Sequence, residues 1–292
     1  PLYLSPPRDG ICIAAGVLPA PLYRIKGNIY GLASAPRTWT MHVCRRLKEC
    51  GWQQHSLDKM LFFLYQRPAG FKEEILVAAA IVYVDDFLVT FNEYFNHQEL
   101  LQIFNWGSQT TLTTENHLEF KGKEIYLRYD KRGFYVLEIK QQKFIEAFKS
   151  GKISDKKDDP LKPSDFPEYR SVAGSLQWVS GQTRPDVAAT VSLHSKGSKA
   201  QYSDLLAMYD AVEHLRNTKT KGFIMNPVNI NQSTIMVTYS DSSWANAENY
   251  ASQHGCLVLL TDTRATEVAT HGCLIDWKSS RSSRVCRSTL AA

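Results

Sequence analysis

Two rhythms of apolar residues alternate along this chain. Trp39, Val43, Leu47 and Cys50 recur at helical spacing and predict a helix from about Ala35 to Cys50. Ser34 is placed to cap it, Pro36 suits its first turn, and Gly51 suits its stop. A short strand and turn over residues 22–30 lead into Gly31, and Leu61 to Tyr65 predicts another strand. From Ile75 to Phe91 the chain is apolar and largely β-branched, interrupted by the adjacent Asp85 and Asp86. That run is shorter than the ~20 residues of a membrane span. It predicts a hairpin: strand 75–84, a turn at the aspartates, strand 87–91. Glu119 to Leu127 and Gly133 to Leu137 predict a further pair of strands. Helical spacing returns between 138 and 150 through Gln141, Phe144, Ile145 and Phe148, closed by Gly151.

Residues 152–168 hold three prolines and many charges, and read as a linker or a long surface loop. Beyond them the pattern is helical. Tyr169, Val172, Leu176 and Val179 mark one helix, a second starts after Arg184 with Pro185 in its first turn, and a third runs from 201 to 217. Helices in a row after a strand-rich half predict a separate helical subdomain. Three strands follow, Thr234 to Ser240, Gly255 to Leu260 and Cys273 to Trp277, with Asp241 at the end of the first. A basic, Ser-rich segment then leads into a helix near Ser288.

Composition narrows the chemistry only a little. With 292 residues and 43% hydrophobic content, the chain can build two or three modest cores. A net charge of +5 and a pI near 8.8 permit a polyanionic partner without requiring one. The six cysteines show no zinc spacing, and reduced thiols are the default. There is no phosphate-binding Gly-Lys loop and no Gly-x-Ser-x-Gly elbow. Pro1 in place of a methionine, and a last helix that stops at Ala292, suggest a piece cut from a longer protein. The aspartate pair is the sharpest signal. Two carboxylates cannot sit unpaired in a core, so both belong at the exposed tip of the hairpin. Side by side there they repel unless a cation lies between them, and hard divalent ions take such oxygen ligands. Ordinary turn chemistry is the competing reading, although hairpins favour Asp-Gly or Asn-Gly. Asp241 alone suggests a turn residue more readily than a ligand. The basic residues Arg37, Arg45, Arg46 and Lys48 on the first helix suit solvent or nucleic acid equally.

Several blocks, in order, resemble the polymerase polyprotein of copia-type long-terminal-repeat retrotransposons. They are Leu2 to Pro7, Tyr30-Gly31-Leu32-Ala33-Ser34-Ala35-Pro36-Arg37-Thr38-Trp39, Ser56 to Phe62, Tyr83-Val84-Asp85-Asp86 and Phe120-Lys121-Gly122-Lys123-Glu124-Ile125. Tyr169 to Leu176, Thr183-Arg184-Pro185-Asp186, Tyr239 to Ala245 and Trp277-Lys278-Ser279 continue the series. The resemblance implies an α+β protein: a reverse transcriptase palm, incomplete and with a remnant of the fingers, then a helical thumb or connection, then a truncated ribonuclease H-like domain. The corresponding spans are 1–150, 151–232 and 233–292. It implies RNA-directed DNA polymerisation on an RNA or DNA template with primer, using deoxynucleoside triphosphates and magnesium, or manganese in its place. No membrane is involved, and the implied location is the cytoplasm, in a retrotransposon particle, or the nucleus. Asp85 is the implied metal ligand and Asp86 its support. Tyr83 and Val84 would lie by the primer terminus. Gly31 and Arg37, with the rest of their block, would line the nucleotide side. Asp241 matches the first ribonuclease H carboxylate.

The departures matter too. The family's first palm aspartate would precede Pro1, and the next ribonuclease H glutamate would follow Ala292. Ala33-Ser34 replaces a usual Lys-Gln, and residues 261–272 look inserted. The expectation is a polymerase fragment that is inactive as this isolated chain. The alternative is a decayed or domesticated remnant that only binds nucleic acid. Oligomeric state is not legible.

Overall fold

The structure, a computed structural model, describes residues 3–4, 23–24, 31–149, 151, 158–228, 230–231, 233–247, 250–266 and 271–282. Helix and strand are mixed, compatible with the α+β class. The chain divides into two compact units, Pro1–Gln109 and Thr110–Ala292. The predicted helix near Ser288 and most of the opening segment lie outside the described residues.

In the first unit, β1 (Tyr3–Leu4) pairs with β2 (Tyr23–Arg24), and helix α1 (Ala35–Glu49) follows. Ser34 holds the N-cap position, yet its side chain makes no capping bond. Arg46 and Lys48 in the last turn complement the helix dipole. Gly51 then takes φ +85°, where a side chain would be strained, and the helix ends. Strands β3 (Gln53–Gln54), β4 (Leu61–Gln66), β5 (Ile75–Tyr83) and β6 (Asp86–Phe91) form one antiparallel sheet in that order, and the short helix α2 (His97–Leu101) follows. One face is the core. Val43 and Leu47 of α1 meet Phe62, Leu64, Val77, Ala80 and Val82, with Phe95, Leu100 and Ile103 closing it. Each of these side chains larger than alanine contributes roughly 1.5–3 kcal/mol by leaving water. Trp39 packs against this core as expected, but Cys50 is exposed, because the chain has already turned away at the C-cap.

The second unit begins with β7 (Leu118–Phe120), β8 (Lys123–Tyr129) and β9 (Tyr135–Lys140). The single strand expected over 119–127 is in fact two. Lys121 and Gly122 both adopt positive φ (52° and 66°), the two-residue turn whose twist suits a hairpin. The helix expected over 138–150 shrinks to α3 (Gln142–Glu146), because β9 runs to Lys140 as a partner of β8. Of its predicted face, Gln141, Ile145 and Phe148 are buried and Phe144 is exposed. The described part of the predicted linker, 158–168, packs down: Leu161 is buried and α4 (Phe166–Ser180) starts within it.

A 3-10 turn at Pro185–Val187 leads into α5 (Ala188–His194), and α6 (Tyr202–Asn217) follows. Tyr169, Val172, Leu176 and Val179 are all buried against Leu205, Met208, Val212 and Leu215. Two polar clusters tie these helices. Asp204, fully buried, accepts from the Gln201 amide at 2.9 Å, from Lys196 Nζ at 3.0 Å, and pairs with His194 Nδ1 at 2.9 Å. Arg184, 3% exposed, forks onto Asp186 and reaches Thr218 at the end of α6. Strand β10 (Phe223–Met225) then joins the edge of β9, giving the order β10-β9-β8-β7. A three-stranded antiparallel meander completes the unit: β11 (Thr234–Ala247), β12 (Ala251–Asp262) and β13 (Cys273–Arg281). All three strands outrun their predicted bounds, and β12 consumes the start of the segment that looked inserted.

Candidate functional site

Tyr83 pairs with Asp86 in the β5–β6 register, so the loop is Val84-Asp85, and Asp86 is the first residue of β6. The turn is therefore one residue earlier than the sequence suggested. Val84 has φ +57°, and Asp85 is not among the positive-φ residues. A left-handed first loop residue is the mark of a type II′ hairpin turn, where glycine is usual. A β-branched valine there is a backbone outlier. The fold holds it in place: the Trp39 indole N–H donates to the Val84 carbonyl. Trp39 is itself steadied by His42 and Phe104, at ring-centroid distances of 5.8 and 6.3 Å. The latch joins the Tyr30–Trp39 block to the hairpin tip, a link no local pattern could reveal. Both Asp85 and Asp86 are exposed there, flanked by Tyr83 and Val84, also exposed. Gly31 (φ +93°) precedes α1, and Arg37 is exposed on its first turn.

Strain at such a tip costs about 1–3 kcal/mol, and glycine's extra freedom in the unfolded chain costs roughly 0.5–1 kcal/mol. Val84→Gly should therefore stabilise the first unit by about 1 kcal/mol, a rise of roughly 4 °C in its thermal midpoint. A fall in that midpoint would mean the valine is not strained.

In kind, the donors suit a hard divalent cation. Two adjacent carboxylates stand in water on a rigid strand pair, and magnesium is commonly held by one or two carboxylates, waters and substrate phosphates. Among the described residues there is no group of three or more Asp, Glu, His or Cys placed to hold a metal. The tip thus offers two ligands, and the rest of a coordination shell would come from elsewhere.

Asp241 lies in the middle of β11 rather than at its end, paired with Gly255, which in turn pairs with Ser279. Its carboxylate accepts from the Ser242 amide at 2.8 Å. It borders a groove of about 490 Å³ between Pro185, Ala188 and Ala189 on the helical side and Tyr239, Leu257 and Trp277 on the sheet. Two bonds bolt that sheet to the helices: Trp277 Nε1 donates to the Ser180 carbonyl at 2.7 Å, and Gln253 Nε2 donates to Ser192 Oγ at 2.9 Å. Asp85 and Asp86 belong to the first unit and Asp241 to the second.

The retrovirus-related Pol polyproteins from transposons RE1 and RE2 of Arabidopsis thaliana are 26% and 27% identical to the chain across 92% of its length. The chain is a homologue of copia-type Pol polyproteins. It spans 18% of the length of each of these two relatives. The putative transposon Ty5-1 protein of Saccharomyces cerevisiae is 26% identical over 60% of the chain and 58% of its own length. No protein-family model and no solved structure matches. At 92% coverage, the likeness to Pol polyproteins extends through both compact units.

Proposed function

We propose that this segment of a Pol polyprotein is the reverse transcriptase palm and remnant fingers (1–150) with a helical thumb or connection (151–232) and the start of a ribonuclease H-like domain (233–292). The observation that carries the reading is the Tyr83-Val84-Asp85-Asp86 hairpin, whose strained two-residue tip presents both carboxylates to solvent and is latched by Trp39. Asp85 serves as metal ligand and Asp86 supports the same site. Magnesium, or manganese in its place, would supply activation of a primer 3′ hydroxyl and neutralisation of the triphosphate. Tyr83 and Val84 offer the apolar contact to the primer end, while Gly31 and Arg37 belong to the nucleotide side. The partners are an RNA or DNA template with primer and deoxynucleoside triphosphates. Among the described residues no helix is long and apolar enough to cross a membrane. Asp241 takes the place of the first ribonuclease H carboxylate, and the expected setting is the retrotransposon particle or the nucleus.

Among the described residues the tip brings together two carboxylates and no third ligand, which do not make a two-metal site, so the 292-residue chain alone should extend no primer above background. Manganese should still broaden the amide resonances of residues 84–87 selectively, and Asp85→Asn with Asp86→Asn should abolish that broadening. Uniform broadening, or none at the tip, would remove the metal reading, and magnesium-dependent extension would remove the inactivity. The net charge of +5 favours a second reading, a nucleic-acid-binding module without chemistry. Affinity for primer–template that falls steeply with salt and ignores magnesium would select it.

A further inference from the structure

The hairpin of β8 and β9 ends in aromatic surface that the fold leaves in water. Tyr129 and Tyr135 face each other at the last register position, with ring centroids 4.5 Å apart and hydroxyls hydrogen-bonded at 2.6 Å. They are 58% and 51% exposed, and Phe134 beside them is 57% exposed. A cross-strand pair steadies a hairpin modestly, which does not account for two tyrosine rings left half in water beside a phenylalanine that the Arg132 guanidinium covers at 5.3 Å. The loop that carries them is pre-organised. Asp130 accepts from the backbone amides of Arg132 and Phe134, both at 2.9 Å, and from the Arg132 side chain. The Asp130 amide donates to the Phe134 carbonyl at 2.9 Å, and Gly133 (φ +82°) supplies the left-handed corner. A preformed surface loses little freedom on binding.

Charge points to the occupant. Residues 128–135 carry Arg128, Lys131 and Arg132 against Asp130; Arg128 pairs with Glu138 at 3.5 Å and Arg132 with Asp130 at 2.6 Å, which leaves a net positive charge with the exposed Lys131 at its centre. The Tyr129 hydroxyl donates to Tyr135, and that bond raises the Tyr129 pKa, so Tyr129 adds no negative charge near neutral pH. We propose that this hairpin end is a stacking platform for an unpaired nucleic-acid strand, with bases on the outer faces of Tyr129 and Tyr135 and phosphates against Lys131 and Arg132. Every base has a face that stacks, so recognition is sequence-tolerant. Three rings are too small an apolar area for a stable protein interface, which needs about 800 Å² from each partner. The platform rests on the nucleic-acid partnership proposed above, and adds to it a contact distant in sequence from the Tyr83–Asp86 hairpin.

The test uses the full chain and a fluorescein-labelled oligothymidylate of about 20 nucleotides at about 50 mM salt, where phosphate contacts are strong. Tyr129→Val with Tyr135→Val keeps the strand preference and removes the rings. It should weaken binding about tenfold or more. Tyr129→Phe with Tyr135→Phe keeps the rings and should bind like the native chain. A strand carrying 5-iodouracil should photo-crosslink to Tyr129 or Tyr135. Native-like binding by the valine pair would overturn the platform and leave the partnership standing. No binding of single strand or duplex by the native chain would overturn both. Self-association lost in the valine pair, with strand affinity unchanged, would make the tyrosines a protein contact and overturn the platform. If the valine pair fails to fold, the crosslink and the phenylalanine pair decide.

Discussion

Arg184→Ala should destabilise the second unit by about 3 kcal/mol, since breaking a buried ion pair commonly costs that much or more. The arginine does four things at once. Its Nε and Nη2 fork onto Asp186 at 2.9 and 2.6 Å, and its Nη1 and Nη2 donate to the carbonyl and hydroxyl of Thr218 at 3.2 and 2.7 Å. Asp186 also pairs with His214 Nε2 at 2.9 Å, so one clasp closes the 3-10 turn at 185–187 onto the last turn of α6. Alanine leaves Asp186 without its fork, but that carboxylate is 42% exposed and can regain water, which holds the loss below the upper range. Lysine would keep the charge and lose the fork, so Arg184→Lys should recover only part of the stability. A pH test separates this clasp from mere packing. Burial pushes the Asp186 carboxyl up, but hydrogen bonds from Arg184 and His214 and the Arg184 charge outweigh it and hold the group below its ordinary value. A lowered folded pKa contributes stability above the unfolded pKa, and that contribution is lost as pH falls through the folded one. The native second unit should therefore weaken below about pH 4, the ordinary carboxylate range, and the alanine variant should show less of that acid loss. A change under about 0.5 kcal/mol in urea unfolding, with the acid slope unaltered, would sink the argument.

The Thr183–Asp186 motif was visible in the sequence, but what Arg184 holds was not. Thr218 lies 34 positions on, and no period encodes such a partner. The same is true of Trp39 and Val84, 45 positions apart. Period was enough where one face of an element meets one core: α4 buries Tyr169, Val172, Leu176 and Val179, the four residues that predict it, and β5 alternates toward its tip. It failed where two elements abut without a polar break. Gln141, Phe144, Ile145 and Phe148 keep helical spacing, but Glu138 to Lys140 ahead of them belong to a strand whose partner decides the conformation. Leu161 was hidden because a single apolar residue among charges carries no period. Asp241 was misplaced because Ser240 to Ser243 is polar enough to suggest a turn; β11 is an edge strand, where exposed polar residues do little harm. Exposure of the two aspartates at the tip followed from desolvation alone, and the structure agrees.

Phe62→Ala should cost the first unit about 3–5 kcal/mol, the range for emptying a buried aromatic site. Phe62 is fully buried and pairs across the sheet with Ala80 of β5, which is too small to fill the space. Val43 and Leu47, both fully buried, press on it from α1, so the cavity cannot collapse easily. Domains are typically stable by only about 5–15 kcal/mol, so this unit would become marginal. Phe91→Ala is the matched control: Phe91 is 50% exposed, stacks on His97 and meets Phe95 edge-on, both at 5.8 Å, so its loss should stay below about 1 kcal/mol. A whole-chain signal would mix the two units, so the readout is hydrogen exchange at the amides of Val77 and Val82, both in β5. Unchanged protection at those amides would mean that Phe62 does not hold the sheet. The site depends on the outcome. Val84 keeps its strained φ only while β5, β6 and the Trp39 indole stay in place, and a loosened sheet would let the turn relax. Selective manganese broadening at residues 84–87 should then fade in Phe62→Ala and persist in Phe91→Ala, tying the carboxylate pair to the core beneath it rather than to the local tetrapeptide.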